Sequence, residues 1–136
     1  MTIVNWLIDT RRPRLAAGAT SLTEAWDANP RSSQNHFMLG HAEEWFYRYL
    51  AGIDVDFSRR PEERIVLRPT PVGDIDSAQA RYQTPFGPVS IAWHRRGGRF
   101  LCDVEVPPKT TARLLLPGKR GRQVRPGRHH FEVAPS

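Results

Sequence analysis

The chain has a single cysteine, Cys102, among its 136 residues, so no disulfide can form within it. It also lacks long apolar runs. None approaches the length a bilayer-spanning helix needs, and no transmembrane segment or membrane partner is expected. The N-terminus, MTIVNWLIDTRRPR, has no basic segment followed by a long apolar stretch, which argues against a secretory signal and leaves the cytoplasm as the default compartment. No HExxH pattern is present. Acidic residues are scarce where basic ones gather: KRGRQVRPGR, from Lys119 to Arg128, contains no carboxylate, and the net charge is +6. Such a segment suits contact with a polyanion. Equally, it is what a solvated turn between two strands looks like, and arginines without a recognisable binding fold do not make nucleic acid an expected partner.

What remains is a globular composition, 39% apolar and 25% charged, sufficient for one ordinary domain. From Asn35 to Gly52 the apolar spacing is helical. Met38, Ala42, Trp45 and Tyr49 step by four, three and four, with Leu39, Phe46 and Leu50 beside them. Ser32, Ser33 and Asn35 are candidate caps at its start, and Gly52 suits the C′ position at its end. Glu44 and Arg48 are spaced for a surface pair. Phe37, Trp45, Phe46, Tyr47 and Tyr49 give this helix an unusually aromatic surface that calls for neighbours on more than one side. Left bare, that face is a surface for self-association.

After Gly52 the period changes to two. Strands are predicted over Arg64–Arg68, Ala78–Gln83, Val89–His94, Phe100–Val106, Thr111–Leu116 and His130–Val133, separated by turn signals such as TPFGP and Gly97-Gly98. Short strands at regular spacing predict an antiparallel β-sandwich. The fold class is therefore α+β, one or two helices followed by that sandwich, with the boundary between Ile53 and Glu63. Trp93 and Cys102 fall on inward-facing series and read as core residues. His129 and His130 read as ordinary residues at a strand entrance.

The stretch from Gly18 to Ile53, with the motifs TSLTEAW and QNHFMLG, resembles the end of the catalytic domain of bacterial α-L-rhamnosidases of glycoside hydrolase family 78. The following stretch, with RPTPVGD and TPFGPVSIAW, resembles the C-terminal β-sandwich domain of the same enzymes. The resemblance implies that 15–53 is the last part of an (α/α)6 barrel and 54–136 the sandwich. Residues 1–14 do not resemble the family's preceding segment, which suggests a truncated gene, a frameshift remnant or a mispredicted start codon.

The family hydrolyses terminal α-L-rhamnose with inversion, which requires two carboxyl groups about 6.5–9.5 Å apart with a water between them. By resemblance Glu24 is the general base, His36 a substrate contact and Trp26 a wall of the sugar pocket. No cofactor is implied, and the partner is a rhamnose-containing glycoside. The general acid belongs to earlier parts of the barrel, so the chain by itself is expected to be inactive. Plain alternatives exist for these residues. Glu24 fits a helix cap or an arginine partner, and His36 a structural histidine. His36 and His41 are five apart, hence on different sides of a helix, and no metal site is expected. At the level of the whole chain the alternatives are a stand-alone sandwich that binds acidic polymers and a non-functional gene remnant.

Overall fold

The computed structural model describes residues 43–134 and the isolated positions Ala16, Gly18, Arg31 and His41. The chain divides into two compact units, Met1–Glu44 and Trp45–Ser136. In the first, the described residues Ala16, His41, Glu43 and Glu44 are helical. Met38, Leu39 and Ala42, which carry the start of the predicted helical face, lie outside the described residues.

The second unit opens with a helix end. Phe46–Ala51 winds as a π-helix and stops at Gly52, which adopts φ 94° and donates its N–H to the Tyr47 carbonyl at 2.9 Å. The predicted C′ glycine is thus realised, because only glycine enters the left-handed region without a Cβ penalty. The carbonyls a helix leaves unpaired at its end need other donors. Here the N–H of Thr70 serves Tyr49 at 3.0 Å, and the Trp93 indole Nε1–H serves Leu50 at 2.9 Å. Leu50 and Ala51 are buried, and the helix end packs against β1, β3 and β4 (Ile53–Val55, Ser77–Thr84 and Gly87–Arg96). The C-terminal end of the aromatic helix is therefore covered within the sandwich unit. Of its rings, Trp45 and Phe46 are half-buried, while Tyr47 and Tyr49 remain exposed.

The remaining strands are β2 (Ile65–Leu67), β5 (Arg99–Val106), β6 (Ala112–Leu114), β7 (Arg122–Val124) and β8 (Gly127–Val133). They form two four-stranded sheets, ordered β1-β2-β6-β7 and β3-β4-β5-β8. The predicted sandwich is what forms. One pairing, β2 with β6, is parallel, and the others are antiparallel. Between β2 and β6 the chain builds three strands of the opposite sheet, a crossover long enough to return in the same direction.

Period-two alternation sets the core. Val89, Ile91 and Trp93 on β4 and Phe100, Cys102, Val104 and Val106 on β5 are all buried. They belong with Ile53, Ile65, Leu67, Ala112, Leu114 and Val124 of the other sheet, where Val66 is buried as well. Trp93 stacks on Phe100 with ring centroids 5.5 Å apart. Two hairpins follow their turn signals. Gly97 and Gly98 join β4 to β5 with φ 57° and 76°, the pair of positive values a type I′ turn demands. Pro85 and Phe86 join β3 to β4, where the Thr84 hydroxyl donates to the Gly87 carbonyl at 2.6 Å.

Two strands were not predicted. β1 is only three residues long and follows the helix without a loop. β7 lies inside the arginine-rich segment expected to be a turn. There Arg122 lies over the Phe131 ring at 4.7 Å, so one of those guanidinium groups is held by an aromatic face.

Candidate functional site

Glu24, Trp26 and His36 all lie outside the described residues, so the structure neither gathers nor separates them. Among the described residues no group of three His, Cys, Asp or Glu side chains is arranged to hold a metal. Nor is any described helix long and apolar enough to cross a membrane. The chemistry on view is that of the sandwich unit.

Cys102 is its one thiol, fully buried on the inner face of β5. Desolvation, and secondarily the neighbouring Asp103 carboxylate, push the thiol from its ordinary 9.0 up to about 12. A thiol held neutral and out of reach is no nucleophile. In the folded protein at pH 8, Cys102 should resist an aromatic disulfide reagent and react only after denaturant is added. Labelling at the rate of a free thiol in the native protein would contradict this. The linkage has a definite sign. The unfolded chain loses this proton from about 9.0 upward while the folded chain keeps it until about 12. Its contribution to stability is therefore complete below pH 9 and lost as pH rises through that interval.

The outer face of the β3-β4-β5-β8 sheet is different in character. Register places its side chains in two cross-strand rows, Gln79–Ala92–Asp103–His130 and Arg81–Ser90–Glu105–Arg128. In each row the β4 position is small, alanine or serine, and the positions on the other strands are long and polar. The result is a depression of about 740 Å³, lined by both rows and by Tyr47. His130 Nδ1 lies 2.7 Å from Asp103 Oδ1, and the Arg128 guanidinium stands 3.6 Å from Glu105. His130 is therefore not an incidental strand-entrance residue but a partner in a polar array. The sequence carried the signal in the outward series Ser90, Ala92 on β4 and Asp103, Glu105 on β5. It takes the pairing register to bring those series together with β3 and β8.

Comparison with known proteins decides what this architecture belongs to. Residues 63–131 match the model of the bacterial alpha-L-rhamnosidase C-terminal domain. Residues 12–50 match that of the bacterial alpha-L-rhamnosidase 6 hairpin glycosidase domain. The chain belongs to the bacterial α-L-rhamnosidases. It corresponds to their C-terminal part, the end of the six-hairpin domain followed by the C-terminal domain.

An α-L-rhamnosidase from Streptomyces avermitilis is 37% identical over 109 residues, covering 74% of this chain and 10% of that enzyme. One from Formosa agariphila is 29% identical over 123 residues, covering 84% of this chain and 13% of that enzyme. The crystal structure of the Streptomyces avermitilis α-L-rhamnosidase complexed with L-rhamnose superimposes with a TM-score of 0.73 at 30% identity, over 89% of this chain and 14% of that one. The native Aspergillus terreus enzyme gives 0.72 at 30% identity, over 89% of this chain and 15% of that one. The chain thus spans roughly a tenth to a sixth of the α-L-rhamnosidases it matches.

Proposed function

We propose that this chain is the C-terminal portion of an α-L-rhamnosidase, an enzyme that removes terminal α-L-rhamnose from glycosides with inversion, and that it contributes the general base. The observation that carries the reading is the order of the two matches: the six-hairpin segment at 12–50 is followed directly by the C-terminal domain at 63–131. In this reading 15–53 closes the barrel and 54–136 forms the sandwich, with 1–14 an atypical lead-in.

Glu24 then deprotonates the attacking water on one face of the sugar, while a carboxylic acid on the opposite face protonates the departing oxygen. His36 hydrogen-bonds a rhamnose hydroxyl. Trp26 presents an indole face to the apolar edge of the deoxy sugar, and an indole N–H also suits a polar contact. Inversion fixes the separation of the two carboxyl groups at about 6.5–9.5 Å, so the base must be held by a rigid support.

A base without its acid cannot expel the leaving group. The 136 residues by themselves are therefore expected to give no turnover of an aryl α-L-rhamnoside, and turnover is expected when the remaining barrel helices are supplied covalently or as a second chain. In that complete enzyme Glu24→Gln should abolish turnover while leaving rhamnose binding nearly intact. Activity of the isolated chain that disappears in Glu24→Gln would overturn the division of labour. Full activity of Glu24→Gln in the complete enzyme would overturn the assignment of the base.

A further inference from the structure

The geometry points to a second, non-catalytic saccharide site on the sandwich: the depression over β4 takes a neutral glycosyl unit. Three observations converge on it. The first is shape. Ser90 and Ala92 form a low floor, and the long side chains of β3 on one side and of β5 and β8 on the other form walls. The volume, about 740 Å³, falls within the range of about 300–1,000 Å³ usual for small-molecule sites.

The second is charge. Arg81 and Arg128 are offset by Asp103 and Glu105 among the lining residues. An anion entering the depression meets two carboxylates, and a cation meets two guanidinium groups. A neutral polyol avoids both penalties.

The third is hydrogen-bonding capacity. A sugar hydroxyl donates and accepts at once, so it needs both kinds of partner side by side. Asp103 keeps one carboxylate oxygen beyond the one that His130 engages. The Gln79 amide, the Ser90 hydroxyl and the Arg81 guanidinium face the same space. Tyr47, 43% exposed, also lines the depression and adds an amphipathic ring. The described residues that line the depression fall between Tyr47 and His130, within the sandwich unit. The choice of a rhamnoside as the probe rests on the α-L-rhamnosidase reading, whereas the site itself rests on the sheet.

The test is a titration of the ¹⁵N-labelled 136-residue protein with methyl α-L-rhamnoside, followed by amide shifts. Saturable shifts are expected at Gln79, Ser90, Asp103 and His130, unchanged in Glu24→Gln. Ala92→Arg, which fills the floor, should remove them, with the unchanged amide signals of the buried β5 residues Cys102 and Val104 reporting that the sandwich is intact. Asp103→Asn, a gentler change, should weaken binding about tenfold. Absence of saturable shifts at these amides, or shifts that persist in both variants, would overturn the proposal. So would tighter binding of D-glucuronate that salt abolishes, since that is the mark of an anion site. Failure of this titration alongside turnover in the completed enzyme leaves the α-L-rhamnosidase reading standing. Saturable binding here with no turnover in the completed enzyme supports the sheet site and removes that reading.

Discussion

Gly52→Ala should destabilise the sandwich unit by about 4 kcal/mol, a large share of the roughly 5–15 kcal/mol that holds a domain together. Two separate costs meet at this residue. Its φ of 94° lies where an L-residue with a Cβ is strained, by about 1–2 kcal/mol. The second cost is space. A Cβ at position 52 would fall on the Arg68–Pro69 peptide, and backbone cannot swing aside as a side-chain tip can. The approach is tight because Arg68 donates its N–H to the Gly52 carbonyl at 2.7 Å, next to the Ile53–Leu67 pair of the β1–β2 ladder.

Gly97→Ala is the internal control. Gly97 has φ 57° with nothing within 4 Å of the position a Cβ would take, so it should lose only about 1 kcal/mol. Urea unfolding of the two variants followed by Trp fluorescence separates strain from crowding. Equal losses for the two would show that crowding at Gly52 adds nothing to the strain of its backbone.

Gly52 also shows what was legible in the sequence. Its place as a helix stop follows from the end of the helical spacing. Its near-contact with Pro69 does not, because that depends on β1, a three-residue strand too short to show a period. β7 was hidden for the same reason, with Gly121 and Pro126 on either side of Arg122–Val124. The long strands were read easily, since β4 and β5 alternate over ten and eight residues and are joined by a glycine pair whose turn chemistry is specific. The parallel β2–β6 pair was illegible for a different reason. Pairing direction between strands distant in the chain is a property of the whole topology, and no local spacing encodes it.

The candidate sites divide along the same line. Glu24, Trp26 and His36 were found through resemblance of short motifs, which carry chemistry in the residues themselves. The trough over β4 is spread over four strands between positions 79 and 130, and each contributes an ordinary polar or small residue to the outward face of its own alternation. Only the register makes a site of them. Ser90 and Ala92, small residues at successive outward positions of one strand, were the local clue that something other than solvent alone was to be accommodated there.

Trp93→Ala should cost about 3–5 kcal/mol, within the range for emptying a buried aromatic site, and the informative comparison is with Trp93→Phe. Trp93 is 1% exposed and does two jobs. Its ring stacks on Phe100 in the core, and its Nε1–H reaches out of the sheet to the Leu50 carbonyl at 2.9 Å. Phenylalanine keeps much of the first and loses the second. It should still destabilise by about 2 kcal/mol, because the Leu50 carbonyl is left buried without its donor.

The two losses also differ in where they are felt. Emptying the core weakens the whole sandwich, so Trp93→Ala should raise hydrogen exchange throughout β4 and β5. Removing the indole donor frees the last turn of the helix, so Trp93→Phe should raise exchange chiefly at Ala51 and Gly52 while β5 stays protected. Uniform loss of protection in both variants would mean that the indole hydrogen bond does not specifically anchor the helix end. Selective loss at 51 and 52 would identify Trp93 as the tie between that end and the sandwich. The helix end Phe46–Ala51 would then be held to the sheet by the indole hydrogen bond in addition to its packing on β1, β3 and β4.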